Sequence, residues 1–200
     1  AGSISDWVHN WRFARWALAS QLLASTAPYV MPWVIAVTHG EAQTGLLGAC
    51  MTLVGLSNTF LQGLCNFLSP RAAQAYSRGG LPELRSVLTK TALLFAATLG
   101  GLAIVAFLLG EHVALLVYGP QFAGAGPIIG VLSLSVLANS AGIVAGNGLW
   151  AIERPSANFV ADACSLGITI VATFICVPLW GPLGAAMATL AGTASDAVVR

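Results

Sequence analysis

Long charge-free runs of apolar residues dominate this sequence, and short polar stretches separate them. A helix needs about 20 such residues to cross the hydrocarbon core of a membrane. Six runs reach or approach that length, at residues 16–38, 42–70, 91–110, 127–152, 156–178 and 183–199. The intervening stretches 118–127 and 178–182 are rich in turn-forming glycine and proline. The pattern predicts an all-α integral membrane protein with six transmembrane helices.

The positions of the basic residues are an independent test of this layout. The eight arginines and lysines are Arg12, Arg15, Arg71, Arg78, Arg85, Lys90, Arg154 and Arg200. Six crossings put all of them on one side of the membrane, whereas a missed or added crossing would scatter them. Because cytoplasmic loops carry an excess of basic residues, we predict that this side is cytoplasmic, with both ends of the chain on it.

The composition favours the same location. Hydrophobic residues make up 57% and charged residues 8% of the 200 residues, whereas soluble domains carry about 25% charged residues. The basic residues form no patch of the kind that binds nucleic acid. We expect residues 1–200 to form a single six-helix unit. Since the chain does not begin with methionine, we expect it to be part of a longer protein.

Residues 5–16 combine three tryptophans with charged residues just before the first apolar run. Tryptophan side chains favour the membrane interface, and arginine side chains reach lipid headgroups. We therefore predict a helix that lies on the cytoplasmic membrane surface and leads into the first transmembrane helix.

Small and polar residues recur at helical spacing in three of the runs. One face of the second run comprises Gly45, Gly48, Thr52, Gly55, Thr59, Gln62, Asn66 and Ser69. Small residues four apart are Gly126 and Gly130, Gly142 and Gly146, and Gly184, Ala188 and Gly192. Such residues let helices pack closely in a membrane. Amides in the same stripes also suit the wall of a wet cavity, so both interpretations are open.

Asp162 lies inside the fifth run, about two turns from its start. It is either a carboxylate stabilised by the helix N-terminus and interfacial water, or a proton or cation site for ion coupling. Asp196 is expected at the membrane interface. Because no catalytic arrangement and no metal-ligand spacing occurs, we predict that the chain is not an enzyme and needs neither cofactor nor metal.

Five motifs in order resemble one family of membrane proteins. They are WRFARWALAS from residue 11, TGLLGA from residue 44, LSPRAAQAY from residue 68, YGPQFAGA from residue 118 and PLWGPLGAAMA from residue 178. With this order and spacing, the chain resembles the second half of the polysaccharide-repeat flippases (Wzx type). Their superfamily also contains lipid II flippases and MATE multidrug exporters.

The resemblance implies a MATE-like fold of two six-helix lobes around a central cavity, of which this chain is the C-terminal lobe. The implied function is to flip an undecaprenyl-diphosphate-linked oligosaccharide across the bacterial cytoplasmic (inner) membrane for surface polysaccharide synthesis. The implied partners are this lipid-linked oligosaccharide, membrane lipids, an N-terminal lobe of the same protein and a polysaccharide polymerase. Nucleic acid is not an expected partner.

The first helix of the lobe borders the cavity in this interpretation. We therefore predict a cavity wall that includes Gln21, Ser25 and Tyr29, which share one helical face, with Asn66 and Asn147 from the second and fourth helices. Two prolines in the first run predict that this helix bends or moves.

Arginines near the cytoplasmic mouth would attract the diphosphate of such a substrate. Arg71 and Arg85 suit this role, as do Arg78 and Lys90. The alternative is that they set the topology and contact lipid headgroups.

Other functions share parts of this pattern. A MATE-like drug or cation antiporter, or a lipid II flippase, would have the same fold. A non-transporting scaffold subunit would keep its intramembrane amides against other helices. A membrane-bound glycosyltransferase would need a cluster of acidic residues at a membrane edge, and no such cluster occurs in the sequence.

Overall fold

In a computed structural model, almost the whole chain is helical. The structure describes the backbone from Gly2 to Arg200, and the side chains in that range except those of residues 2–10, 12, 13 and 23–30. The helical stretches are Gly2–Tyr118, Ala125–Ala151 and Pro155–Val199, with a short 3₁₀ turn at Pro120–Phe122. No strand occurs in this described part of the chain. The all-α prediction is confirmed at this level.

Single glycines divide two of these stretches. The backbone leaves the helical conformation at Gly40 (φ 82°, ψ 179°), Gly80 (φ 62°, ψ −151°) and Gly181 (φ 53°, ψ −128°). Residues with a Cβ rarely adopt such torsions, so glycine is needed at these points. The resulting helices are α1 (2–39), α2 (41–79), α3 (81–118), α4 (Ala125–Ala151), α5 (155–180) and α6 (182–199).

Prolines begin three of the helices that follow a break. Pro82, Pro155 and Pro182 occupy the first or second position of α3, α5 and α6, where the missing N–H removes no helical hydrogen bond. The residue at which each of these helices begins is therefore determined by a proline close to it in the sequence. By contrast, α1 stays helical through Pro28 and Pro32, so neither proline interrupts this helix.

The predicted spans fall within these six helices, except that Ile152 follows the end of α4. The predicted surface helix at 5–16 falls within α1, which continues from it without a break. By length and composition, the stretches Met31–Tyr118, Ala125–Ala151 and Pro155–Val199 could each cross a membrane. These properties support a membrane location. That each of the six helices crosses separately stays a prediction.

Small residues mediate the closest helix contacts. On α6, a Cβ added to Gly184 would lie 2.9 Å from the backbone nitrogen of Val177 on α5. Ser165 on α5 donates a hydrogen bond from Oγ to the carbonyl oxygen of Gly192 on α6, at 2.9 Å. On α4, a Cβ added to Gly126 would lie 2.9 Å from the carboxylate of Glu111. Close packing at these glycines is confirmed.

Two clusters of buried apolar side chains form the interior. The larger one draws on all six helices and includes Met31 and Leu47, while the smaller one joins Leu61, Phe95 and Val144 from α2, α3 and α4. Because lipid chains are as apolar as these residues, dense packing rather than removal from water stabilises such an interior in a membrane.

The helix connections alternate between two ends of the bundle. The turn at 152–154 lies beside the start of α3, since a Cβ added to Gly148 would lie 2.7 Å from Leu88. At the opposite end, a Cβ added to Gly181 would lie 3.3 Å from the His39 ring. The basic residues that the structure describes lie toward the first of these ends, as the topology prediction requires. Which end faces the cytoplasm stays a prediction.

Candidate functional site

A cleft with amide and hydroxyl groups on a largely apolar wall opens between α2, α4 and α6, and is called the polar cleft below. Its volume is about 430 Å³, which falls in the range of small-ligand sites. Its lining residues are Met51, Val54, Gly55, Asn58, Leu132, Ser135, Val136, Asn139, Thr189 and Thr193. This wall is uncharged and combines amide and hydroxyl groups with aliphatic side chains.

The hydroxyl and amide groups of the cleft differ in their bonding. Ser135 donates to the carbonyl oxygen of Val131 at 3.0 Å, and Thr189 donates to that of Ala185 at 2.9 Å. Thr193 likewise donates to its own helix. Asn58 and Asn139 have no side-chain hydrogen bond within the described residues. Because an amide without a partner is costly in an apolar setting, these two side chains are the groups of the cleft best suited to bind a polar ligand.

The cleft continues into an exposed face of α2. Gly55 belongs both to the cleft wall and to the stripe of small and polar residues predicted on this helix. No described atom lies within 4 Å of a Cβ added to Gly45, Gly48 or Gly55, and the polar members of the stripe are exposed. The interpretation that this stripe packs on a neighbouring helix of the chain is therefore wrong. Other helices of the chain pack on the opposite side of α2, through residues such as Leu47, which is 1% exposed.

Large apolar side chains cover other sides of the bundle. Leu93, Phe107 and Leu108 on α3 are exposed, as are Val171 and Phe174 on α5. The polar face of α2 with its cleft is therefore set apart from an otherwise apolar exterior.

The structure describes only some of the side chains that were predicted to form the cavity wall. The side chains of Ser25 and Tyr29 lie outside the described residues. Gln21 and Asn66 are exposed, the latter on the α2 stripe. Asn147 is half-buried on α4 and donates from Nδ2 to the carbonyl oxygen of Ile143 at 2.9 Å. None of the three described side chains lines the cleft, so their role in transport stays a prediction.

The arginines predicted to attract a diphosphate are exposed near the charged end of the bundle. The Arg71 guanidinium lies 4.8 Å from the centre of the Phe67 ring, a cation–π distance. Arg85 is exposed on the first turns of α3. Both positions are open to a headgroup or a phosphate, so the two roles considered for these residues stay open.

Asp162 on α5 forms an ion pair with Arg200, which follows α6. Arg200 also donates from Nε to Asp196 at 2.9 Å. Its guanidinium therefore bridges two carboxylates and ties the charged ends of α5 and α6 together. Asp196 is 7% exposed, so it is buried against neighbouring helices, and its position at the membrane interface stays a prediction. The ion-coupling role of Asp162 stays a prediction.

The fourth helix makes room for this ion-pair network. A Cβ added to Gly142 would collide with the Asp196 carboxylate, and one added to Gly146 would collide with the Arg200 guanidinium. Asn158, which is 1% exposed, donates from Nδ2 to the carbonyl oxygen of Gly146 at 3.2 Å. Its Oδ1 atom has no hydrogen-bond donor among the described residues. The glycine pair in α4 thus accommodates polar groups as well as close helix packing.

At the opposite end, the Glu111 carboxylate caps the start of α4. It accepts hydrogen bonds from the backbone N–H groups of Gly124 at 2.7 Å and Gly126 at 2.6 Å. These two bonds lower the pKa of Glu111, since they favour the charged carboxylate. The carboxylate also complements the positive end of the helix dipole.

Sequence reasoning overlooked most polar residues of the cleft. Asn139 is recognisable from the sequence as a costly amide in an apolar run, whereas Asn58, Ser135, Thr189 and Thr193 were not predicted. Their spacing is a usable signal, because Ser135 with Asn139 and Thr189 with Thr193 are pairs four residues apart in apolar helices.

Comparison with known proteins adds no family assignment. No protein-family model, curated protein or solved structure matches the chain. Within the described residues, no group of three histidine, cysteine or acidic side chains is arranged to hold a metal ion. The resemblance to polysaccharide-repeat flippases therefore rests on the five sequence motifs alone.

Proposed function

We propose that this chain is one six-helix lobe of a flippase that moves an undecaprenyl-diphosphate-linked oligosaccharide across the bacterial cytoplasmic membrane. The observation that carries the proposal is the uncharged polar cleft, continuous with the exposed polar face of α2, on a bundle with an apolar exterior. A polar face of this kind on a membrane lobe suits the wall of a hydrated pathway between two lobes.

The orientation follows from the charges. If all six helices cross the membrane, the end that carries the basic residues faces the cytoplasm, and both ends of the chain lie there. Arg71 and Arg85 are exposed near that end, where they attract a diphosphate arriving from the cytoplasmic leaflet. A second lobe covers the α2 face and closes the pathway.

The chemistry of the cleft fits a sugar. Asn58 and Asn139 offer both donors and acceptors, which match the hydroxyl groups of an oligosaccharide. The wall carries no charge, so it imposes little electrostatic barrier on a neutral repeat unit. The rocking of two lobes would expose such a wall to each side of the membrane in turn, and Asp162 is our candidate for coupling that motion to an ion.

The test is polysaccharide export in a flippase-deficient strain that expresses variants of the full-length protein. Asn58→Leu combined with Asn139→Leu removes the free amides of the cleft, and we expect at least a fivefold loss of surface polysaccharide at an unchanged level of membrane protein. Gln43→Leu is the matched control, because it likewise replaces an exposed primary amide of α2 with leucine and lies outside the cleft. We expect export by this variant to stay within twofold of the wild type.

Normal export by the double variant would overturn the proposed role of the cleft. If the wild-type protein failed to restore export to this strain, the chain would instead belong to a non-transporting membrane subunit.

A further inference from the structure

The helix α2 has a second exposed face, which is distinct from its polar stripe. Residues three, four and seven positions apart share one side of a helix, and on this side all of them are exposed. In order along α2 they are Phe60, Gly63, Phe67, Arg71, Gln74 and Arg78. The polar stripe lies about a third of a turn away in one direction, and the buried residues Leu61 and Leu68 lie about as far in the other. This face therefore contacts the medium around the bundle and not the polar cleft.

The hairpin of α2 and α3 sets the depth of this face in a membrane. Lys90 and Glu111 bound the charge-free part of α3 and lie about 32 Å apart along the helix, close to the thickness of the hydrocarbon core, which is about 30 Å. The two helices meet at Gly80 and pack against each other in one apolar cluster. Arg71 and Lys90 lie about 14 and 15 Å from Gly80 along their helices. Arg71 is therefore at the depth of Lys90, at the edge of the hydrocarbon.

The polarity of the face changes at this depth. On the membrane side of Arg71, Phe60 and Phe67 are 45% and 58% exposed. Toward the end of the bundle, the face continues with Gln74 and Arg78, both exposed. A membrane phospholipid has the same order, because its acyl chains lie below its phosphate.

The Arg71 guanidinium is turned toward the apolar part of the face. It lies 4.8 Å from the centre of the Phe67 ring, about one turn closer to the middle of the membrane. Long basic side chains at an interface ordinarily extend their charge toward water. Arg71, Arg78 and Lys90 form no ion pair and donate no side-chain hydrogen bond within the described residues. Arg71 thus holds a cation without an acceptor at the hydrocarbon edge, and the flat guanidinium group matches the oxygens of a phosphate.

We propose that this face binds an anionic phospholipid of the surrounding leaflet, with an acyl chain along Phe60 and Phe67 and the phosphate against Arg71. Arg78 and Lys90 add positive charge near the phosphate, so an anionic headgroup is favoured over a zwitterionic one. A free phosphate would leave the apolar part of the face without a partner.

This inference does not depend on the proposed function. Attraction of a transported diphosphate to this end of the bundle needs only the electric field of the basic residues. A bound phospholipid needs direct contact with Arg71.

The experiment uses the full-length protein in phosphatidylcholine vesicles with a minor share of phosphatidylglycerol that carries a diazirine near the top of one acyl chain. After illumination, mass spectrometry measures labelling of the α2 segment between Phe60 and Phe67. Arg71→Gln should reduce this labelling about fivefold, which corresponds to about 1 kcal/mol for one basic residue near an anionic headgroup. Arg71→Lys should keep most of it, because the positive charge stays.

Arg154→Gln is the matched control. It removes one positive charge from an exposed side chain at the same end of the bundle, in the turn between α4 and α5 and outside this face. It should leave the labelling unchanged. An equal loss in Arg154→Gln and Arg71→Gln would overturn the inference, because the overall charge of this end would then explain the effect.

Competing lipids identify the headgroup. Phosphatidylcholine with the same diazirine should label the segment equally in the wild type and all variants, which also shows that the variants keep their fold. Unlabelled phosphatidylglycerol should displace the anionic probe, whereas inorganic phosphate should not. Equal labelling by the anionic probe in the wild type and Arg71→Gln would contradict the site. Displacement by a polyprenyl diphosphate but not by phosphatidylglycerol would assign the face to the transported lipid instead and equally overturn the inference.

Discussion

Replacing Arg200 with methionine tests whether the ion-pair network holds α5 and α6 together. The substitution keeps much of the side-chain volume but leaves Asp162 and Asp196 without their counter-ion. The three side chains are between 10% and 17% exposed, so the pair is largely withdrawn from water. Removing one partner of a fully buried pair costs about 3–5 kcal/mol, and the remaining exposure reduces this to about 2–3 kcal/mol.

For a chain of this length, that loss corresponds to a fall in the melting temperature of about 4–12 °C. The assay is thermal unfolding of the detergent-solubilised protein, followed by tryptophan fluorescence. Arg78→Met is the control, since Arg78 is exposed on α2, and we expect a change of less than 2 °C. Adding Asp162→Asn to Arg200→Met should recover part of the loss, because one uncompensated carboxylate is then removed. Equal melting temperatures for Arg200→Met and Arg78→Met would refute the reasoning.

Two further predictions concern the opposite end of the bundle and its closest helix contact. Because the pKa of Glu111 is lowered, its carboxylate stabilises the fold above the pKa of an unfolded glutamate. That contribution is lost as the pH falls through the lower pKa of the folded state. Glu111→Gln should therefore reduce the melting temperature at pH 7 and narrow the difference between pH 7 and pH 3; an unchanged difference would contradict the cap. Gly184→Ala should abolish folded protein in size-exclusion chromatography, because its Cβ would meet the α5 backbone, whereas Gly48→Ala, which faces open space, should be tolerated. Equal yields from the two variants would contradict this packing.

The helix boundaries were largely predictable because they are encoded locally. A glycine that leaves the helical conformation ends α2 and α5, and a proline follows within two residues at Pro82 and Pro182. Charge-free runs located the apolar part of each helix, since a charge within the hydrocarbon is costly, but α2 and α3 continue past the predicted limits at 70, 91 and 110. Both kinds of signal depend on neighbours in the sequence and therefore require no knowledge of tertiary contacts.

Which helix faces are covered was less predictable. Gly48 in α2 and Gly146 in α4 belong to similar stripes of small residues, yet Gly48 is exposed and Gly146 packs against Arg200 and Asn158. Helical periodicity identifies a face but not what lies opposite to it. For the same reason Arg200 was interpreted only as a topology signal, although it forms ion pairs between α5 and α6. The cleft joins residues from three helices, and only their arrangement in space brings Asn58 and Asn139 together.

The glycine breaks have a mechanical consequence. A connection of one residue at Gly40, Gly80 or Gly181 contains no slack, so the two helices that it joins cannot slide past each other by a turn without unwinding. Within residues 2–200, only the segments at 119–124 and 152–154 have several residues outside the α-helices. We therefore expect α1, α2 and α3 to keep their register along the bundle axis, and likewise α5 and α6.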